Sequence, residues 1–412
     1  MSFSKNRELL LTLLKEDPFS PLEERIKAFL DNGEIDWKGL LEDATYHGIA
    51  PLIYFNLKEA NLKSIPDYFL ENLKAVYYAN VRRNTRYFAE LERVLKLLRE
   101  TGVEPIVLKG GAMAEGVYKN IALRPFEDID LLVKKFDLPA TKAVFKSCGY
   151  AAQEKIFPSK AHKEFKDEIN KSFEKFETEL HFIKGEKEYF FDIHWNLLII
   201  CDSKIKEAIQ LDIEKIWKRK KTYSFGTASA YLMSPEDLLI YVCLHLRERH
   251  FEKARSRLIW WYDIYKIVKT YENEFDWNYF LASVKEYEAC ESIYPLILTL
   301  KEWFNPPLPQ NLLKEAQSYL QIFPLEKILP KSSEQLKFFE KPQEKDYLLE
   351  VLNVKGLRKK VKLLLGEIFP QKEYMILKYQ IKNRRLLPFY YLLRLKNAIV
   401  KGFKAAGQML RS

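Results

Sequence analysis

The sequence predicts an α+β fold, a small mixed sheet flanked by N- and C-terminal helical domains. Three observations predict it. Apolar residues recur near i, i+3, i+4 spacing through residues 1–102 and again through 205–354, as amphipathic helices require. Short apolar runs bounded by glycine turns fill the segment between, as strands do. Within that segment, Ile106 to Lys134 (IVLKGGAMAEGVYKNIALRPFEDIDLLVK) runs from an apolar stretch through Gly110-Gly111 and a short helical turn into a second apolar stretch. The chain thus divides into a helical unit 1–102, an α/β core 103–204, a helical unit 205–354 and a tail 355–412.

In the N-terminal unit, Arg7 to Leu14, Leu22 to Leu30 and Trp37 to Tyr46 have helical periodicity. Asp17-Pro18-Phe19 separates the first two, and Ser20-Pro21 starts the second, with Glu23 three residues after the cap. Ile49 to Leu57 follows the His47-Gly48 turn. A long helix from about Tyr68 to Arg99 carries the apolar face Leu73, Val76, Tyr77, Val81, Tyr87, Leu91, Leu95, Leu98 and stops at Thr101-Gly102. This unit is expected to be a platform packed on the sheet. Arg82, Arg83 and Arg86 belong to its solvated face or, alternatively, reach a substrate.

In the core, Ile106-Val107-Leu108 is one strand, and Asp128-Ile129-Asp130 leads into another, Leu131-Leu132-Val133. A helix, Asp137 to Cys148, stops at Gly149. Thr178 to Lys184 and Tyr189 to Trp195 flank Gly185-Glu186 as a hairpin. In the C-terminal unit, Ser234-Pro235-Glu236-Asp237 combines an N-cap, a first-turn proline and acids, and starts the helix Leu238 to His245. Arg255 to Tyr265 is a further helix with Trp260, Trp261 and Asp263, and Pro306-Pro307-Leu308-Pro309 is a linker or sharp turn.

The chemistry concentrates at the end of the second strand. Alternation puts Asp128 and Asp130 on one face, with Ile129 and Leu131 on the other. Neighbouring carboxylates repel unless a divalent cation lies between them. A Gly-Gly turn at the head of a helix brings backbone N–H groups close to phosphate. Together these are the parts that phosphoryl or nucleotidyl transfer needs.

The same stretch is similar to the G-[GS]…D-x-[DE] signature of the nucleotidyltransferase superfamily typified by DNA polymerase beta. It resembles more closely a bacterial branch of uncharacterised nucleotidyltransferases, through Leu108-Lys109-Gly110, Arg124 and Asp128 to Val133. The similarity runs from about Asp36 to about Tyr265. It implies that the α/β core is a nucleotidyltransferase core. Asp128 and Asp130 would then bind Mg²⁺ or Mn²⁺, Gly110 and Gly111 would donate to the β/γ-phosphates of an NTP such as ATP, and Lys109 and Arg124 would add positive charge. The branch also has an acidic residue followed by Leu/Ile-His-Trp, matched by Asp192-Ile193-His194-Trp195. Asp192 is therefore expected as third metal ligand or as base, with Glu179, in Glu179-Leu180-His181, as the alternative. His194 lines the site or is a hydrogen-bonded structural residue. His245 and the Trp pair read as core; alternatively, His245 or Arg257 reaches the nucleotide.

The expected reaction is transfer of an NMP to an acceptor hydroxyl with release of pyrophosphate, the acceptor being RNA, protein or a small molecule. Two alternatives stand beside it: an idle fold that binds a nucleotide or a partner, and an enzyme acting on RNA ends. The tail bears on the last. From Lys355 onward, 15 basic residues face only Glu367 and Glu373, which leaves the first 354 residues slightly acidic in a chain of net charge +10. Leu386 to Leu395 and Asn397 to Leu410 have amphipathic patterns. They would contact a polyanion, lie on an anionic membrane surface, or pack on the body. No stretch is apolar enough for a transmembrane helix, no signal peptide is read, and the four separated cysteines fit a cytoplasmic setting.

Overall fold

The computed structural model describes residues 2–15, 22–31, 35–58, 65–152, 179–185, 188–199, 209–247, 256–322, 386–393 and 395–396. Five helices come first: α1 (Ser2–Leu14), α2 (Leu22–Asp31), α3 (Trp37–Tyr46), α4 (Ala50–Leu57) and α5 (Asp67–Glu100). β1 (Ile106–Leu108) runs into α6 (Lys109–Ala112) and a π-helical turn, Met113–Val117. β2 (Ile129–Leu132), α7 (Leu138–Ser147), β3 (Ala151–Ala152), β4 (Glu179–Lys184) and β5 (Tyr189–His194) complete the expected core. There follow the small pair β6 (Leu198–Ile199) and β7 (Ile209–Gln210), then α8 (Ile213–Arg219), β8 (Lys221–Phe225) and β9 (Ala228–Leu232). Five helices follow, α9 (Pro235–His245), α10 (Leu258–Thr270), α11 (Trp277–Glu286), α12 (Cys290–Phe304) and α13 (Gln310–Ile322), and residues 387–393 of the tail are also helical.

Local chemistry sets several of these boundaries. Gly102, at φ +79°, turns the chain out of α5 in the left-handed conformation that glycine adopts without strain. Ser234 caps α9 by accepting from the Asp237 N–H at 3.3 Å, and Pro235 occupies the first turn. The Ser20-Pro21 start lies outside the described residues.

Seven strands form one mixed sheet in the order β3-β4-β5-β2-β1-β9-β8. β2 pairs with β5, and β1 with β9, in parallel; the other pairs are antiparallel. The expectation that 205–354 is helical fails at β7, which pairs with β6 in a sheet of two, and at β8 and β9, which extend the main sheet beyond residue 204. The reason is local. Ala228–Leu232 alternates buried and half-buried positions with period two, and Gly226 makes the turn from β8 at φ +59°.

The sheet has two unlike faces. Val107, Ile129, Leu131, Val133, Phe191 and Ile193 face α5 and α7, packing on Leu91, Val94, Leu98, Val144 and Phe145. Each such side chain contributes about 2 kcal/mol by leaving water. Ile106, Leu108 and Leu132 face the other way and join a larger core. That core takes side chains from α1–α4 as well as α9–α13. The start of α5, through Phe69 and Leu73, shares this core with α1–α4, while its second half covers the sheet. The sequence of α4, APLIYFNL, suits it to this core, because residues buried around most of its circumference need cover on more than one side.

In the tail, Leu386, Phe389, Leu392 and Leu393 are exposed while Leu387, Tyr390 and Tyr391 are half-buried; Asn397 to Leu410 lies outside the described residues. Among the described residues no helix is long and apolar enough to cross a membrane.

Candidate active site

β1 delivers the chain to Lys109, which sits at φ +42°. This left-handed conformation is uncommon for a side-chain-bearing residue and occurs where surrounding structure enforces it. The enforcement is visible one residue later. A Cβ on Gly110 would meet the Phe126 Cβ at 2.6 Å, so only glycine lets the loop before β2 lie against the turn. Gly111 is buried behind, with its Cβ position 3.4 Å from Val107.

That loop is held from the other side by α5. The Asn80 Nδ2 donates to the Ala122 carbonyl at 2.6 Å. The Asn84 Nδ2 donates to the Ile121 carbonyl at 2.6 Å and to the Arg124 carbonyl at 3.0 Å. The Tyr87 hydroxyl donates to the Glu127 carbonyl at 2.7 Å. Three side chains on one helix face thus fix the path that ends at Asp128.

The strand register then aligns the acids. Asp130 of β2 pairs with Asp192 of β5, which pairs with His181 of β4. Two pairs further along β5, on the same face, His194 faces Glu179. Side-chain bonds connect these rows. His194 Nε2 is 2.9 Å from Asp130 Oδ1, and its Nδ1 is 3.3 Å from Glu179 Oε2. His181 Nδ1 is 2.6 Å from Asp192 Oδ1. His181 Nε2 also lies 3.9 Å from Glu179 Oε1, so Glu179 and Asp192 are two parts of one network, and His194 is buried inside it. His181 had a signal in the sequence, since it alternates with Glu179 on one strand face.

Burial, with repulsion from Asp130 and Asp192, pushes the Asp128 carboxyl up to about 7. Burial would raise Asp130 as well, but Lys109 and His194 hold it well below the usual carboxylate range. The Lys109 ammonium lies 2.6 Å from Asp130 Oδ1. Burial opposes its charge, but Asp130, Tyr241 and Asp128 outweigh that and raise its pKa.

Arg124 is committed elsewhere. Its Nη2 is 2.7 Å from Asp263 Oδ2 on α10, and its Nη1 donates to the Pro125 carbonyl at 2.6 Å. The Tyr118 hydroxyl donates to the other oxygen of Asp263 at 2.8 Å. Asp263 thus receives the loop and the π-helical turn together.

Lys109, Gly110, Arg124, Asp128 and Asp130 line one cavity of about 1100 Å³. Arg82, Arg83 and Arg86 line it too; Arg82 and Arg86 are exposed there and Arg83 is half-buried. So do His245, Arg257 and Trp260, whereas Trp261 is core. Asn80, Asn84 and Tyr87 are the residues that sequence reasoning missed as part of the site. The available signal was a pair of amides, four residues apart, on the apolar stripe of a long helix.

The donor set suits a hard divalent cation. Asp128 and Asp130 offer only oxygen, and an ammonium already rests on one of them. Among the described residues no group of three or more His, Cys, Asp or Glu is arranged to hold a metal ion. Two carboxylates suffice for Mg²⁺, which usually completes its shell with substrate phosphates and water.

A mixed sheet presenting paired acids beside a Lys-Gly-Gly turn defines a nucleotidyltransferase-type core. The chain belongs to a family of uncharacterised nucleotidyltransferases, whose pattern matches residues 33–305. That span includes the long helix α5, the sheet and α9–α12. Neither the curated proteins nor the solved structures yield a match.

Proposed function

We propose that this protein transfers a nucleoside monophosphate from an NTP to an acceptor hydroxyl, releasing pyrophosphate. The observation that carries the reading is the crowding of Asp128, Asp130 and Asp192 on one sheet face, beside Lys109 and a glycine turn. Asp128 and Asp130 hold the divalent cation, Mg²⁺ or Mn²⁺; when bound it supplies charge stabilisation to the reacting phosphate. Gly110 and the turn receive the phosphate chain, and Lys109 neutralises it. Asp192, kept in place by His181, accepts the proton of the acceptor hydroxyl. The acceptor oxygen forms the new bond to the α-phosphorus as the bond to the β-phosphate oxygen breaks. Arg124 and Asp263 act by positioning, since their charges are spent on each other.

NTPs labelled at the α- or the γ-phosphate test this against RNA, protein and small-molecule fractions. The reading requires α-label on the acceptor and γ-label in pyrophosphate, with no transfer unless Mg²⁺ or Mn²⁺ is added. Transfer of γ-label to the acceptor would make the reaction a phosphorylation and overturn it.

A further inference from the structure

The cavity is larger than the acids and the glycine turn need. Pockets for one small ligand span about 300–1,000 Å³, and this one measures about 1100 Å³. Its α5 wall carries three arginines, Arg82, Arg83 and Arg86, within little more than one helical turn.

Three other cations of the cavity are already paired, and a fourth, Arg257, lies over the Tyr46 and Trp260 rings. Lys109 is on Asp130, and Arg124 is on Asp263. Arg86 pairs with Glu188 and lies over the Tyr189 ring at 5.7 Å. Arg82 and Arg83 differ. Among the described residues Arg82 has no hydrogen-bond or ion-pair partner. Arg83 donates from Nη2 to Asn80 Oδ1 at 3.3 Å, while its buried Nε has no hydrogen-bond partner among the described residues. Burial disfavours its charge, and Glu127 offsets this from a distance without a hydrogen bond.

A guanidinium has five donors in a fixed fork and no acceptor. The cost falls on Arg83, whose buried Nε is unbonded, with the exposed Arg82 fork beside it; an oxyanion on this wall would satisfy both. A phosphate matches them in charge and in the spacing of its oxygens.

We propose that Arg82 and Arg83 form a phosphate-binding subsite on the α5 wall, separate from the Lys109–Gly110 turn. The phosphate belongs either to the donor's β/γ chain or to a phosphorylated acceptor. The choice between these sources rests on the proposed transfer reaction; the subsite itself does not.

Isothermal titration of the full chain in Mg²⁺ with pyrophosphate, with NTP, and with inorganic phosphate at saturating NTP tests it. Arg82→Gln/Arg83→Gln is expected to weaken pyrophosphate at least about tenfold. NTP weakened by a similar factor assigns the subsite to the donor. NTP affinity unchanged, with loss of the added phosphate, assigns it to the acceptor. Arg82→Gln alone, at an exposed residue, gives the same direction of change without risk to the fold. Unchanged pyrophosphate and phosphate affinities in both variants would overturn the subsite, as would a wild type that binds neither. Phosphate binding without any nucleotidyl transfer would leave the subsite standing and remove the proposed reaction.

Discussion

Arg124 and Asp263 stand 139 positions apart in sequence and meet as a buried ion pair, Nη2 to Oδ2 at 2.7 Å. The pair ties the loop entering β2 to α10, so the strand that carries the acids is anchored to the helical part of the chain. Removing one partner strands the other charge out of water, at a cost of about 3–5 kcal/mol. Asp263→Asn should therefore lower stability by that order in urea melts. The double variant Arg124→Leu/Asp263→Leu should lose less than the sum of its singles.

Gly110 is fixed by Phe126 as much as by any ligand. Gly110→Ala places a Cβ where only 2.6 Å is open, and overpacking of this kind costs about 1–3 kcal/mol. Phe126→Gly in the same background removes the Cβ that the new methyl meets. A thermal melt that shows partial recovery in the double variant would establish the contact as the cause.

His194 is held between Glu179 and Asp130, which makes Glu179 a positioning residue. Glu179→Gln should reduce the transfer rate about tenfold while leaving NTP affinity unchanged. A change confined to affinity would place Glu179 in substrate binding instead. Single-turnover rates and equilibrium binding separate the two.

His47 gives a pH signature. Burial, and then the nearby Arg257, lower it from 6.5 to about 4. Its Nδ1 accepts from the Leu258 N–H at 3.3 Å, which suits a neutral ring. Between pH 6.5 and 4 the unfolded chain binds a proton that the folded one refuses, so stability rises with pH across that window. The contribution is about 3 kcal/mol, complete above pH 6.5 and lost as pH falls through 4. Melts at pH 7 and pH 5 on wild type and His47→Gln should show the wild type losing more on acidification.

The long helix, the first two strands, the β4–β5 hairpin and the Ser234-capped helix were legible because each carries a periodicity bounded by glycine, proline or a capping residue. The acids at 128, 130 and 192 were legible because strand alternation and motif spacing agree. β8 and β9 were not, since their local signal, a glycine turn and a five-residue alternation of small residues with Tyr231 and Leu232, lacks the runs of branched or aromatic residues that mark a strand. The partnership of Arg124 with Asp263 and the loop clamp of Asn80, Asn84 and Tyr87 depend on contacts across the fold. Local sequence does not encode such pairings. Arg124 illustrates the limit: its motif position pointed to phosphate, and the structure shows its guanidinium engaged with a carboxylate.

The central claim is that Asp128 and Asp130 form the transferring centre. The most direct measurement compares wild type with Asp128→Asn/Asp130→Asn for Mg²⁺-dependent incorporation of α-labelled NTP into acceptor, with a thermal melt on both. Removing the two carboxylates should cut incorporation by about a thousandfold or more while the melt stays cooperative. Incorporation by the double variant at the wild-type rate would contradict the account.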